Sequence, residues 1–444
     1  MTRKRHSRLA AAAAIATVSM LGLTACGPSV GGSESPSPSA NAGFDGVTPA
    51  DSITFWSNHP GGSMETEKAI IAEFTAETGI EVELVTAGAN YQEVSQKFQT
   101  AQTSGEVGDV VVVSDATWFA NYLNDSLLPV DEVLSAAKAD TGTYQETLYN
   151  DYLYEDKHFA VPYARSTPIF YYNKDHYAAA GLPDEAPKNW DEVKANGEKL
   201  AAAGVADSAF SFPPRDEYPA WSMVNMVWGF GGQWSKDWDM APMTGDETVE
   251  AIEFAQTAVT DGWAKVSSGD PADDFTAGVT SQFIGSTGSL GEIGNLASFG
   301  IGVGFLPGGP VESDDVVPTG GAGVAIAAKS SPEKQLAAAQ FVDFLTNAEN
   351  TATFSLATGY LPVRTDADMS AAYAENPNFK VAVEQLEKTR NQDFARVLLP
   401  GGDRSLSAAL QEILTTDADV KATLEKAQTE LQEEYDGDLA PRLK

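Results

Sequence analysis

A short aromatic stretch of the sequence contains residues suited to ligand contact. The segment WSMVNMVWGFGGQW places Trp221, Trp228 and Trp234 among glycine and asparagine residues. Aromatic faces pack against the C–H surfaces of sugars and attract cations such as choline. Indole rings also fill hydrophobic cores, so each of these tryptophans has a purely structural interpretation as well. The spacing predicts either a ligand-binding wall or a buried aromatic cluster.

The residue types that carry catalysis or metal binding are sparse. The four histidines are scattered and form no H-x-x-x-H pair, and neither a G-x-S-x-G elbow nor a P-loop is present. The single cysteine excludes a thiolate zinc site, which needs several such ligands. We therefore predict no catalytic residue, no metal and no cofactor. A carboxylate pair for glycoside cleavage is the alternative that so acidic a chain leaves open.

The charge of the chain argues against one class of partner. The sequence has 63 acidic and 28 basic residues, which gives a formal net charge of −35. Such a surface repels phosphate backbones, so we predict no nucleic-acid partner. A small anionic ligand remains compatible with this charge, because one nearby arginine can outweigh a distant, screened field.

The N-terminal segment has the order of a secretory signal. Basic residues precede the apolar run LAAAAAIATVSMLGL, which is shorter than the roughly 20 residues of a membrane-spanning helix. The border LTACG is similar to a bacterial lipobox, in which Cys26 would be lipidated and the chain cut before it. We predict a signal peptide over residues 1–25, a Ser/Pro/Gly-rich tether over 26–50 and a lipid anchor at Cys26. A plain secretory signal with an incidental cysteine is the alternative.

The elements after the tether alternate between strands and helices. Strand patterns at residues 52–58, 80–87 and 109–114 are separated by helical patterns at 62–79 and 91–105. The last strand, DVVVVS, is a continuous β-branched run of the kind found in strands buried on both faces. This βαβαβ order predicts an α/β domain.

Several motifs over the remaining chain resemble those of one protein family. In order they are NYQ (90–92), STPIFYYNKD (166–175), GSTGSL (285–290), GGAG (320–323), FVDFLTNAEN (341–350) and TGYLP (358–362). With this order and spacing the chain resembles the family 1 extracellular solute-binding proteins of ABC importers. Within that family it is most similar to the glycerol-3-phosphate-binding proteins.

The resemblance implies the architecture. It implies an α/β, two-lobed clamshell of the periplasmic-binding-protein type, with a hinge and a ligand cleft between the lobes. Lobe 1 would comprise residues 51–164 and 317–365, and lobe 2 residues 165–316 and 366–444. The chain would pass between the lobes more than once.

The resemblance also implies a set of ligand contacts. Matched residue by residue to the family motifs, they are Tyr91, Asp115, Ser166, Ser286, Gly321, Tyr360 and Arg404. Arg396 is the alternative to Arg404, and Trp221 joins the set from the aromatic stretch. Asp115 stands where one member of the family has glutamate, one methylene longer, which leaves the ligand's identity open.

The implied function is capture without chemical change. The resemblance implies a monomeric, lipid-anchored binding protein on the extracellular face of the cell membrane. It would bind glycerol-3-phosphate or a glycerophosphodiester and deliver it to ABC permease subunits. A disaccharide or oligosaccharide is the alternative ligand, and an extracellular glycoside hydrolase is the remote alternative.

Overall fold

Two five-stranded β-sheets organise the protein. The computed structural model describes residues 43–58, 62–105, 107–314 and 316–443, all within one compact unit of the chain. The strands are β1 Ser52–Ser57, β2 Glu81–Thr86, β3 Val110–Ser114, β4 Leu153–Tyr154, β5 Lys157–His158, β6 Val161–Ser166, β7 Pro168–Asn173, β8 Phe210–Phe212, β9 Ala264–Val266, β10 Gln282–Ser286, β11 Ile301–Gly304, β12 Val317–Pro318, β13 Gly320–Ile326 and β14 Thr389–Arg390.

Helices surround both sheets. They are α1 Gly62–Thr78, α2 Tyr91–Ser104, α3 Trp118–Leu123, α4 Val130–Ala137, α5 Glu146–Asn150, α6 Lys174–Ala179, α7 Trp190–Ala203, α8 Pro219–Ser222, α9 Val224–Gly229, α10 Asp246–Thr260, α11 Pro271–Thr276, α12 Leu290–Leu296, α13 Pro332–Leu345, α14 Ala348–Thr358, α15 Ser370–Glu375, α16 Pro377–Glu384, α17 Phe394–Val397, α18 Gly402–Thr415 and α19 Val420–Glu434. None of the helices within the described ranges combines the length and apolar character required to span a bilayer.

The first sheet has the strand order β2-β1-β3-β13-β6. Strand β1 runs parallel to β2 and β3, whereas β13 is antiparallel to both β3 and β6. Every residue of β3 is buried, as its β-branched run predicts. On one face Phe341 of α13 contacts Phe55 of β1 and Phe74 of α1, with ring centroids 5.5 and 5.3 Å apart. These edge-to-face contacts hold two helices against the sheet.

The second sheet has the strand order β11-β7-β10-β8-β9. Strand β7 pairs antiparallel with β10 and β11, and β8 pairs parallel with β10 and β9. Tyr171 and Phe283 are direct partners in the β7–β10 register and their rings stack at 4.7 Å. Such cross-strand aromatic pairs stabilise a sheet beyond the area they bury.

The chain passes repeatedly between the two sheets. Strand β6 of the first sheet ends at Ser166, and β7 of the second begins at Pro168. The chain returns to the first sheet at β13, and the Leu361 N–H later donates to the Arg165 carbonyl beside the first passage. The crossings agree with the expectation of discontinuous lobes, while the lobe boundaries themselves stay a prediction.

Candidate functional site

A cleft of about 350 Å³ lies where residues of both sheets meet. Its volume is in the range of small-molecule sites, about 300–1,000 Å³. Seven of the eight ligand-contact residues predicted from the sequence line it. They are Tyr91, Asp115, Ser166, Trp221, Ser286, Gly321 and Tyr360. These residues span 270 positions of the chain between Tyr91 and Tyr360, so only the tertiary fold brings them together.

An ion pair connects the two sides of the cleft. Asp115 directly follows the carboxyl end of β3, the usual position for ligand-binding residues in α/β sheets. Its Oδ2 accepts a hydrogen bond from Nη1 of Arg396 at 2.9 Å, and Nε of Arg396 donates to Asp403 at 2.7 Å. Gln392 also donates to Asp115, at 2.5 Å. The guanidinium is therefore held by two carboxylates with part of its edge facing the cleft.

The electrostatics of this cluster keep the arginine charged. Burial works to lower the pKa of Arg396, but the carboxylates of Asp115 and Asp403 outweigh it and raise the pKa. Burial raises the pKa of Asp403, opposed by the Arg396 charge. One guanidinium shared by two carboxylates leaves the cluster with no surplus positive charge.

Arg404 does not join the cleft. Its side chain is exposed and absent from the lining, whereas Arg396, its alternative, lies in the lining and is 3% exposed. Successive residues of a helix point about 100° apart, so Asp403 at the start of α18 faces inward and Arg404 faces solvent. The structure therefore favours Arg396 in the position that the family alignment assigned to Arg404.

Two tyrosines from distant segments meet in the cleft. Asn90 caps α2 by accepting a hydrogen bond from the Glu93 N–H at 2.9 Å, which makes Tyr91 the first residue of the helix. Its hydroxyl lies 3.3 Å from that of Tyr360, whose ring stacks on Phe354 with the planes 7° apart. Burial raises the pKa of both tyrosines, so both remain neutral phenols able to donate hydrogen bonds.

Small polar groups border the tyrosines. The Ser286 hydroxyl accepts a hydrogen bond from the Gly288 N–H at 3.0 Å, which leaves its own hydrogen able to donate. Ser166, the last residue of β6, is 2% exposed. Gly321 has a φ of +85°, and a Cβ at this position would lie 2.2 Å from the Ala164 carbonyl oxygen. This close backbone approach permits only glycine.

The three tryptophans of the aromatic stretch separate in the fold. Trp221 lines the cleft, and its Nε1 donates to the Thr319 carbonyl at 3.0 Å. Trp228 and Trp234 are 1% and 0% exposed and belong to the hydrophobic core. The two alternatives for this stretch are therefore divided among its tryptophans, since Trp221 lines the cleft whereas Trp228 and Trp234 belong to a buried aromatic cluster.

Several cleft residues carry no signal in a single sequence. They are Tyr218, Ser222, Glu217, Asp270 and Glu292. Tyr218 has φ +56° and ψ +48°, a left-handed conformation that is unusual for a bulky residue and often marks ligand sites. Burial raises the pKa of Glu217 to about 7, and the charges of Asp270, Asp216 and Asp273 act in the same direction. In a chain with 63 acidic residues, nothing local distinguishes these carboxylates.

Comparison with known proteins shows similarity to bacterial solute-binding proteins. The profile of the family described as bacterial extracellular solute-binding protein matches residues 69–381. The sn-glycerol-3-phosphate-binding periplasmic protein UgpB of Escherichia coli K12 is 25% identical over 393 residues, which cover 84% of this chain and 89% of that protein.

Two solved structures are similar to this protein over most of the chain. UgpB from Mycobacterium tuberculosis in complex with glycerophosphocholine is similar with a TM-score of 0.83 and 41% identity, covering 87% of this chain and 99% of that one. The GacH receptor of Streptomyces glaucescens, a structure with acarbose, shares the fold at a TM-score of 0.76 and 19% identity, covering 87% and 98% of the two chains. The expected two-lobed, periplasmic-binding-protein-like fold is thereby confirmed. The chain belongs to the bacterial extracellular solute-binding protein family.

Proposed function

We propose that this protein captures a glycerophosphodiester, such as glycerophosphocholine, or glycerol-3-phosphate and delivers it to ABC permease subunits. The single observation that carries the proposal is the convergence of Asp115, Arg396 and the two tyrosine hydroxyls on one cleft. The similarity to a protein solved with glycerophosphocholine supports the same ligand class.

The cleft offers a partner for each part of such a ligand. The guanidinium of Arg396 can donate to a phosphate oxygen. The carboxylate of Asp115 can accept hydrogen bonds from two glycerol hydroxyls. Ser166, Ser286 and the tyrosine hydroxyls can complete the hydrogen bonds of a polyol phosphate that closure of the lobes removes from water. Nothing in this arrangement requires a bond to be broken, so the role is binding.

A ligand panel tests the proposal. The purified chain would be heated with glycerol-3-phosphate, glycerophosphocholine, trehalose or maltose in a thermal-shift assay. A ligand at 100 times its dissociation constant stabilises the fold by ~2.7 kcal/mol, which raises the melting temperature measurably. We expect a shift with at least one glycerophosphate compound and none with the sugars. No shift with either glycerophosphate compound would contradict the proposal.

A sugar ligand is the second candidate. The half-buried Trp221 ring and the rings of Tyr218 and Phe283 also line the cleft, and aromatic faces suit sugar rings. A shift with maltose or trehalose alone would favour this candidate and make Arg396 a structural residue.

We further propose that Cys26, outside the described residues, anchors the protein on the extracellular side of the cell membrane. The proposal rests on the lipobox-like border and on membership of an extracellular family. In the host bacterium, Cys26→Ser should move the protein from the membrane fraction to the medium while ligand binding by the purified body stays unchanged. Retention of the Cys26→Ser protein in the membrane fraction would rule out this anchor.

A further inference from the structure

We propose that Glu217, Asp270 and Glu292 form a subsite that selects ligands carrying an organic ammonium group. This inference rests on the proposed function and adds a preference within it. Phosphodiesters with a cationic head group should bind more tightly than phosphodiesters with a neutral head group or than glycerol-3-phosphate. The three carboxylates are called the acidic wall below.

The acidic wall is assembled from three separate elements of the second lobe. Glu217 ends the turn that precedes α8, Asp270 caps the N-terminus of α11, and Glu292 lies in the first turn of α12. All three line the same cleft as Arg396. The charge of Asp270 raises the pKa of Glu217, and the charge of Glu292 raises the pKa of Asp270, so Asp270 lies within electrostatic range of both other members of the wall.

The cleft has a deficit of positive charge that a ligand could supply. Four carboxylates line it, and the only lysine or arginine among its described lining residues is Arg396. That guanidinium is already shared between Asp115 and Asp403. The acidic wall therefore has no cation of its own in the cleft, and a dianionic ligand would be repelled by it.

The acidic wall is too open to chelate a metal ion. In the described part of the chain, no group of three or more His, Cys, Asp or Glu side chains is arranged to hold a metal. Carboxylates spread along a cleft suit a larger, diffuse charge such as a quaternary or primary ammonium. Aromatic rings also attract such cations, and the ring of Tyr218 lies in the same lining.

A second observation at the same place points to a bound ligand. Ser222, the last residue of α8, lines the cleft and is 5% exposed, yet its hydroxyl has no hydrogen-bond partner among the residues that the structure describes. A buried hydroxyl without a hydrogen-bond partner destabilises the protein, so a ligand oxygen that accepts from Ser222 would be favoured at this position. The adjacent Tyr218 backbone is held in the left-handed region, as is common at ligand clamps.

The test compares two phosphodiesters that differ in the charge of the head group. Dissociation constants of glycerophosphocholine and glycerophosphoglycerol would be measured by titration calorimetry on the full mature chain. We expect wild-type protein to bind glycerophosphocholine about 10-fold more tightly, as an ammonium near several carboxylates implies.

Charge-neutral variants then assign the preference to the acidic wall. Glu217→Gln, Asp270→Asn and Glu292→Gln should each reduce the ratio of the two affinities about 2- to 4-fold, and the triple variant should abolish it. Asparagine can still cap α11, which preserves the fold at position 270. If the triple variant does not fold, the double variant Glu217→Gln/Glu292→Gln serves the same purpose.

Matched controls separate local charge from net charge. Glu250→Gln and Glu253→Gln remove the same charge from exposed positions of α10 outside the cleft lining and should leave the ratio unchanged. An unchanged ratio in the triple or double variant, or equal binding of both ligands by wild-type protein, would overturn the inference and leave the proposed function standing. Binding of neither phosphodiester by wild-type protein would overturn this inference, and would refute the proposed function as well if glycerol-3-phosphate also failed to bind.

Discussion

Among single residues, Arg396 has the most constrained environment in the cleft. It is 3% exposed and contacts Asp115, Asp403 and Gln392. A ligand phosphate would therefore compete with Asp115 for the same guanidinium edge. This competition favours ligands that also satisfy Asp115, as the hydroxyls of glycerol can do.

Exchange of the two candidate arginines for lysine should separate their roles. Arg396→Lys keeps the charge but loses the planar donor fork, so the affinity for glycerophosphocholine should fall about 10-fold or more. Arg404→Lys changes an exposed side chain outside the cleft and should leave the affinity within about 2-fold of wild type. Calorimetric titration of both variants with glycerophosphocholine gives the two dissociation constants. Equal losses in the two variants would contradict the assignment to Arg396.

Glu217 should destabilise the ligand-free protein at neutral and alkaline pH. Its pKa is raised from 4.5 to about 7 in the folded chain, by burial and by Asp270, Asp216 and Asp273. The folded state therefore retains a proton that the unfolded state releases between these pH values, and stability falls as the pH rises through this window.

The Glu217→Gln variant measures this effect. Glutamine carries no charge, so we expect the variant to be more stable than wild type by about 1–2 kcal/mol at pH 8, after allowance for solvent screening, and equal to it near pH 4. Chemical denaturation at the two pH values gives the comparison. Glu250→Gln is the control, with little expected gain in stability at either pH because Glu250 is exposed on α10 and does not act on Glu217. If Glu217→Gln stabilised the protein equally at both pH values, the charge of Glu217 would not be the cause of the stabilisation.

Among the elements, β13 determines how closely the two sides of the cleft approach. Its register against β6 shifts between Gly321 and Gly323, and the Gly321 carbonyl accepts a hydrogen bond from the Asp115 N–H at 3.2 Å. Trp221 packs against Gly320, where a Cβ would lie 2.5 Å from the indole ring. The glycines of this strand let backbone and ring surfaces meet where the ligand would lie.

Gly321→Ala should therefore lower the free energy of unfolding more than the same substitution at a left-handed glycine that has no close neighbours. Gly105, which ends α2, has a φ of +81° against +85° for Gly321, but no atom lies within 4 Å of its Cβ position. Backbone strain in Gly105→Ala should lower the free energy of unfolding by about 1–2 kcal/mol. In Gly321→Ala the contact with the Ala164 carbonyl should lower it by about 1–3 kcal/mol more. Urea denaturation of the two variants gives the difference. Equal losses would mean that the β6–β13 packing can relax.

At the scale of the whole molecule, two sheets joined by several chain crossings form a hinged pair. Such proteins close around their ligands by rotation of one lobe against the other, which buries the ligand and presents a new shape to the partner. Asp115 and Arg396, from opposite sides of the cleft, form an ion pair with a distance of 2.9 Å between Oδ2 and Nη1.

Small-angle X-ray scattering tests the closure. Saturating glycerophosphocholine should reduce the radius of gyration of the mature chain, whereas maltose should leave it unchanged if the proposed ligand class is correct. The Arg396→Lys variant under the same conditions is the control, because it should fail to close at a ligand concentration that saturates wild type. Scattering curves that superimpose with and without a ligand known to bind would exclude hinge closure.

Much of the fold follows from local patterns in the sequence. The β-branched run before Asp115 specifies a strand buried on both faces, and the strand's end fixes where this carboxylate emerges. The motifs around Tyr91, Ser166, Ser286, Gly321 and Tyr360 resemble a known family, and these residues line one cleft. Alternation of strands and helices, and the side-chain periodicity within each, are properties of neighbouring residues, so a single sequence suffices to predict them.

Only the tertiary structure decided which charged and aromatic side chains face the cleft. Asp115 and Arg396 are 281 positions apart, and no local pattern distinguishes Arg396 from Arg404. The same holds for Trp221 against Trp228 and Trp234, which share one stretch of sequence. Whether a side chain points to ligand, core or solvent depends on the segments packed around it, and those contacts exist only after the chain has folded. The acidic wall is a further example, because nothing local in the sequence distinguishes its three carboxylates and only the fold brings them to one cleft.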